Sequence, residues 1–236
     1  MTTIVVPGRE FAAVFPHRYA VVDVETSGLS PRVHRVLSVA VVHVATDGTV
    51  EGSWSTLLDP GCDPGPVHIH GLTRERLAGS PTFDQIVDPL VSMLAGRVFV
   101  AHNATFDWQM ISAEAQRLDL RLPIDRRLCT RVLARQLNLE LPNLKLATLA
   151  AYWGVPQRRA HEADDDASVL ATLLPELLRL AANRGADLPL VTCDAEAPAP
   201  APAPAPAPDI GRWAARPARL LRPELPKNSA TETTGT

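Results

Sequence analysis

Two carboxylates interrupt an apolar strand pattern near the start of the chain. Asp23 and Glu25 lie within YAVVDVETSGLS (19–30), where most other residues favour a β-strand until Gly28 ends the pattern. Side chains two residues apart on a strand point to the same face, so the two acids lie side by side. Such a pair is unfavourable unless a cation lies between its members, and a divalent ion with hard oxygen ligands fits. The alternative, a surface strand with solvated acids, fits poorly with the apolar residues around Asp23.

Two further acids each follow a histidine at a fixed distance. His102 and Asn103 precede Asp107 where a strand pattern gives way to a helix pattern, and His161 precedes Asp166 at the start of a long amphipathic helix. Four acids that converge from a strand end and two helix starts suit a two-metal phosphodiesterase. In such an enzyme, two divalent ions about 3.5–4 Å apart stabilise the attacking and leaving oxygens. A histidine that titrates near neutral pH suits the role of proton acceptor for the attacking water.

The order and spacing of these groups resemble the DEDDh family of 3′–5′ exonucleases. The motifs are DVETSG (23–28), HNATFD (102–107) and HEADDD (161–166), with HGLT (70–73) as a minor element. The resemblance covers about residues 19–185 and is most apparent to the epsilon proofreading subunit of bacterial DNA polymerase III. It implies an α/β, RNase H-like fold: a mixed five-stranded sheet with an antiparallel meander, flanked by helices.

The resemblance also implies a role for each matching residue. Asp23, Glu25, Asp107 and Asp166 would be catalytic ligands of two Mg²⁺ (or Mn²⁺) ions. His161 would be the general base that deprotonates the attacking water.

Further site residues follow from the same motifs. Asp164 and Asp165 adjoin Asp166, but the family spacing places the ligand five residues after the histidine, which selects Asp166. His102 is expected to fix the turn before the second motif rather than to bind substrate. The residues expected to bind substrate are Thr26, His70, Asn103 and Phe106.

The implied function is metal-dependent hydrolysis of terminal phosphodiesters at single-stranded or frayed DNA 3′ ends. Nucleoside 5′-monophosphates would be released, in proofreading or repair. An exoribonuclease similar to RNase T or oligoribonuclease is the alternative, because discrimination of the 2′-OH depends on pocket shape. A binding subunit associated with a polymerase, which keeps the fold without activity, fits less well because all five catalytic residue types are present. A DNA polymerase or a sliding clamp is a candidate protein partner. GADLPL (185–190) faintly resembles clamp-binding peptides, but the favoured interpretation of this segment is a plain helix exit that leads to the linker.

Composition limits how the protein could hold nucleic acid. The formal net charge is −3, whereas proteins that wrap duplex DNA are usually basic. Contact with few phosphates, bound metal ions or a partner would have to compensate. Three widely spaced cysteines argue against a disulfide framework, and no apolar run is long enough to cross a bilayer. With no signal-peptide pattern in MTTIVVPGREF, we expect a cytoplasmic protein that does not bind a membrane.

The composition changes abruptly near residue 194. We expect an exonuclease domain over 1–190, an extended Ala-Pro linker over 194–208 and a disordered C-terminal tail over 209–236. The alternative for the tail is a peptide that folds against a partner. Within the domain, the pattern predicts a helix over roughly 126–137.

Overall fold

The computed structural model describes residues 11–193, so the predicted linker and tail lie outside the described residues and the domain boundaries stay predictions. Within this range the chain forms six strands and eight helices. The strands are β1 (Tyr19–Thr26), β2 (Val36–Val44), β3 (Val50–Leu57), β4 (Val98–Ala101), β5 (Arg126–Cys129) and β6 (Leu190–Thr192). The helices are α1 (Phe11–Val14), α2 (Val67–His70), α3 (Arg74–Leu77), α4 (Phe83–Leu94), α5 (Ala104–Gln116), α6 (Thr130–Gln136), α7 (Leu146–Tyr152) and α8 (Ala163–Arg184).

All six strands form one mixed sheet in the order β3-β2-β1-β4-β5-β6. The first three strands make the predicted antiparallel meander, β4 and β5 run parallel to β1, and β6 returns antiparallel to β5. The predicted fold is confirmed, but the predicted count of five strands is one too low. Strand β6 has only three residues, and the sequence before it predicts a helix exit rather than a strand.

The predicted helix over 126–137 is wrong in its first four residues. Arg126–Cys129 form β5, which pairs in parallel with β4 through Phe99 and Ala101, and the helix α6 begins only at Thr130. Arginine and leucine are good helix formers, so local propensity favours a helix here. Pairing with a strand more than 20 residues earlier overrides that preference.

The parity of β1 decides which side chains meet which helices. Tyr19 and Val21 point into the core that α8 covers, whereas Val22 and Val24 point into the core beneath α4 and α5. Asp23 has the odd parity of Tyr19 and Val21, as does Glu25, so both acids project toward the face of α8. The helix that carries the third motif therefore covers the face on which the first motif presents its acids.

Among residues 11–193, no helix is long and apolar enough to cross a membrane.

Candidate active site

Three of the four predicted metal ligands meet at the end of β1. Asp23 and Glu25 lie in its last four residues, and Asp166 lies in the first turn of α8. Each offers a carboxylate oxygen, and the three oxygens lie within 4.8 Å of one another. All three side chains are half-buried. This spacing lets one cation contact all three carboxylates.

Asp107 lies beside this cluster, in the first turn of α5, and is only 5% exposed. It falls outside the group of three within 4.8 Å, yet its charge contributes to raising the pKa of both Asp23 and Glu25. Burial raises the pKa of Asp107 itself, and the backbone N–H groups of Asp107 and Val24 only partly oppose that rise.

Burial raises the pKa of all four acids, and repulsion within the cluster raises it further for Asp23 and Glu25. Burial, followed by the charges of the other three acids, raises the pKa of Asp23 well above its ordinary value. The pKa of Glu25 rises to about 8, first through burial and then through Asp166 and Asp107. Burial raises the pKa of Asp107 to about 7. Closely spaced carboxylate oxygens whose negative charge is not neutralised are suitable ligands for a hard divalent cation such as Mg²⁺ or Mn²⁺.

The two aspartates that precede Asp166 form hydrogen bonds outside the acidic cluster. Asp165 Oδ2 accepts hydrogen bonds from the backbone N–H groups of Arg158 and Arg159, at 3.0 and 2.9 Å. Asp164 pairs with the Arg159 guanidinium at 2.8 Å. The geometry therefore agrees with the family spacing, because Asp166 alone of the three consecutive aspartates belongs to the cluster.

His161, the predicted base, sits on the loop just before α8. Its φ of 65° is in the left-handed region, which is uncommon for a residue other than glycine. Its backbone N–H donates to Asp166 Oδ2 at 3.2 Å, and its side chain is exposed. The histidine is thus a direct neighbour of a predicted ligand, and its role as base stays a prediction.

His70, a predicted substrate contact, is buried and hydrogen-bonded through both ring nitrogens. It is 4% exposed, its Nδ1 accepts from the backbone N–H of Leu72 at 3.0 Å, and its Nε2 donates to the Pro64 carbonyl at 3.1 Å. Both ring nitrogens are therefore engaged within the loop after β3. The structure gives His70 a role in fastening this loop, while a contact with substrate stays a prediction.

The other three predicted substrate contacts border the acids. Thr26 is buried at the end of β1, and its hydroxyl donates to the Gly28 carbonyl at 2.9 Å. Asn103 is exposed and occupies the N-cap position of α5, but its side chain makes no capping hydrogen bond to the helix. Phe106 is half-buried against the core beneath α4 and α5. Exposed Asn103 is the most accessible of the three.

His102 holds the second motif in place, as expected. Its Nε2 donates to the Leu144 carbonyl at 2.8 Å, and its Nδ1 lies 3.1 Å from the Thr130 hydroxyl. These contacts connect the end of β4 to the start of α6 and to the chain before α7.

A buried ion pair that the motifs did not reveal supports the strand side of the site. Glu114, on α5, is 1% exposed, and its carboxylate accepts hydrogen bonds from Arg35 Nε at 2.8 Å and from Arg35 Nη2 at 2.9 Å. Its Oε1 also accepts from the Val36 N–H at 3.0 Å. The pair fastens the loop after β1 to the helix that carries Asp107. Because 79 residues separate its members, no local pattern could have revealed it.

One glycine allows the loop after β3 to approach the first motif. Gly65 has a φ of +74°, and a Cβ at this position would lie 2.1 Å from the Ser27 carbonyl oxygen. Both the backbone conformation and the close approach therefore require glycine. The contact brings the loop between β3 and α2, which leads to His70, against the end of β1.

The segment predicted to resemble a clamp-binding peptide is part of the folded domain. Leu188 and Leu190 pack against the core beneath α8, and Leu190 pairs with Leu128 in the sheet. Binding of a clamp to 185–190 would require these side chains to leave their present contacts.

The fold and the site together define a nuclease class, and comparison with known proteins identifies it. Residues 20–174 match the exonuclease family (RNase T), so the chain belongs to that family. This confirms the resemblance indicated by the three motifs.

The relatives include replication proteins. The epsilon subunit of DNA polymerase III from Treponema pallidum (strain Nichols) is 30% identical over 172 residues, which cover 70% of this chain and 79% of that protein. A PolC-type DNA polymerase III from Clostridium perfringens (strain 13 / Type A) is 31% identical over 177 residues, or 73% of this chain. The match spans only 12% of the Clostridium protein and 27% of a relative from Mycobacterium tuberculosis. The similarity to these longer proteins is confined to that portion of them.

Among solved structures, the chain is similar to Exonuclease X in complex with 5′ overhanging duplex DNA. The TM-score is 0.54 at 25% identity, and the match covers 68% of this chain and 90% of that one.

Proposed function

We propose that this protein is a metal-dependent 3′–5′ exonuclease that hydrolyses terminal phosphodiesters at single-stranded or frayed DNA 3′ ends. Nucleoside 5′-monophosphates would be released during proofreading or repair in the cytoplasm. The observation that carries the proposal is the convergence of Asp23, Glu25 and Asp166 within 4.8 Å, in a chain of the exonuclease family. The similarity to a polymerase epsilon subunit supports DNA as the substrate and a DNA polymerase as a partner.

The proposed metal site consists of Asp23, Glu25, Asp107 and Asp166, which would hold two Mg²⁺ or Mn²⁺ ions. When bound, these ions would stabilise the charge that develops on the attacking and leaving oxygens. They would also let a strongly acidic pocket accept a phosphate that it would otherwise repel.

His161 would take the proton of the attacking water. The His161 backbone N–H donates to Asp166, and its imidazole is exposed, which supports a role beside that proposed ligand. Histidine is the side chain that most often serves as a general base.

Substrate binding would fall to residues around the two N-terminal motifs. Thr26, Asn103 and Phe106 lie close in sequence to Glu25 and Asp107. Buried His70 would act on the terminal nucleotide through the loop that it fastens.

Digestion of single-stranded DNA and RNA of one sequence, each labelled at the 5′ end, tests the proposal. With Mg²⁺, we expect a DNA ladder that shortens from the 3′ end and slower loss of the RNA. Asp23→Ala should abolish the ladder, whereas Asp187→Ala, an exposed aspartate beyond the far end of α8, should not. Faster loss of the RNA would indicate that the protein functions in RNA turnover. If neither substrate is shortened in the presence of metal, the proposal is contradicted.

A further inference from the structure

The loop before α8 is fastened to two consecutive aspartates of that helix. We call residues 155–161 the histidine loop, because it ends at His161. Gln157 Nε2 donates to Asp166 Oδ1 at 2.5 Å, while the His161 N–H donates to Oδ2 of the same carboxylate. Asp165 receives two further backbone N–H groups of the loop, those of Arg158 and Arg159. Both oxygens of Asp166 thus have a donor from the loop.

The donor that contacts Asp166 most closely carries no charge. An amide N–H orients a carboxylate and compensates for burial, but it leaves the full negative charge available to a cation. An arginine at this position would instead neutralise the carboxylate and oppose a divalent ion. Two arginines follow Gln157 directly, and Arg159 is turned away to pair with Glu162 and Asp164. The loop thus presents its neutral group to the acidic cluster.

Each aspartate therefore controls a different part of the site. Asp166 belongs to the cluster, and Gln157 fixes the direction of its Oδ1. Asp165 lies outside the cluster and fixes only the backbone of the histidine loop. Removing the first contact should disturb metal binding, whereas removing the second should disturb the placement of His161.

We propose that Gln157 is a positioning residue that sets the orientation of Asp166 for metal binding, separately from Asp165, which positions the loop that carries His161. This inference rests on the proposed function.

The test is Mn²⁺ binding by the full-length chain, measured by isothermal titration calorimetry, together with exonuclease kinetics at increasing Mn²⁺. Loss of a group that supports a metal ligand typically weakens binding by about 10–100-fold, so Gln157→Ala should show a decrease of that size. Its kcat should recover toward wild type at saturating Mn²⁺. Asp165→Ala should weaken Mn²⁺ binding less than Gln157→Ala does, but should show a lowered kcat that added metal does not restore.

The matched control is Gln136→Ala, which also removes an amide donor, here to the Asp187 carbonyl and remote from the cluster. It should bind Mn²⁺ and degrade DNA as wild type does. Unchanged Mn²⁺ affinity in Gln157→Ala would overturn the inference. A kcat that fails to recover with metal, together with a lowered unfolding temperature, would also overturn it, because Gln157 would then be only structural. If wild type and Asp23→Ala bind Mn²⁺ equally, the proposed function itself fails.

Discussion

The two halves of the acidic site are held by different kinds of structure. Asp23 and Glu25 lie on β1, which is hydrogen-bonded to β2 on one side and β4 on the other, with helices over both faces. His161 and Asp166 lie where an exposed loop meets the first turn of α8, and side-chain hydrogen bonds hold that junction. The core therefore fixes the strand half. The loop half is held by fewer contacts, so it can adjust when ligands bind.

Asp23→Asn should have the largest effect on function and an opposite effect on stability. The substitution removes a metal ligand, so DNA degradation should be abolished. It also removes a buried carboxyl group, and burial and three neighbouring acids raise the pKa of that group because they oppose its ionisation. The metal-free variant should therefore unfold at a higher temperature than metal-free wild type. A melting curve in EDTA measures this, and a variant less stable than wild type would contradict the picture of a repulsive cluster.

His161→Ala should affect the rate and leave the strand half intact. Loss of a general base costs about 10²–10⁴-fold in rate. Because His161 contributes only its backbone N–H to Asp166, Mn²⁺ affinity should stay near that of wild type. Single-turnover kinetics with calorimetry separates the two quantities, and His68→Ala, which removes an exposed histidine of α2, is the control. Wild-type kcat in His161→Ala would assign the base to another group.

A comparison of ion pairs extends the contrast to stability. Glu114→Ala leaves Arg35 without its partner in a largely buried setting, and breaking such a pair costs about 3–5 kcal/mol. Arg159 is 54% exposed where it pairs with Glu162 and Asp164, and exposed pairs contribute about 0–1 kcal/mol. Urea unfolding of Glu114→Ala and Arg159→Ala measures both. Equal losses of unfolding free energy would remove the distinction between the two halves.

Local patterns in the sequence indicated the acids of both halves of the site. The parity of Asp23 and Glu25, the strand-to-helix turn before Asp107 and the histidine five residues before Asp166 are local patterns. Strand periodicity alone places Asp23 and Glu25 on one face of β1, whereas the choice of Asp166 over its two neighbours rests on the resemblance to the exonuclease family.

What the sequence did not reveal depends on contacts between distant segments. Strand β5 forms because β4 is available to pair with it, and Glu114 meets Arg35 only after the sheet and α5 pack together. The ring nitrogens of His70 are engaged by a loop whose path depends on the approach of Gly65 to Ser27. Local propensity carries no information about such partners.

The smallest effect we predict is a dependence of metal-free stability on pH. Unfolded Asp and Glu titrate at about 3.9 and 4.3, whereas the folded pKa is about 7 for Asp107 and about 8 for Glu25. Between these values the folded state binds more protons than the unfolded state, so its free energy of unfolding must fall as pH rises.

The stability that these acids contribute is thus complete below about pH 4 and lost as pH rises through 7 to 8. Divalent ions replace the protons, so Mg²⁺ should flatten the slope and its binding should release protons into weakly buffered solution. Urea titrations across this range, with EDTA or Mg²⁺, measure the slope. Asp23→Asn should show a shallower slope than wild type in EDTA, because one repulsive charge is gone. If metal-free wild type instead became more stable toward pH 8, other groups of the protein would already balance the negative charge of the four acids. The strand half would then not require a cation to offset its charge.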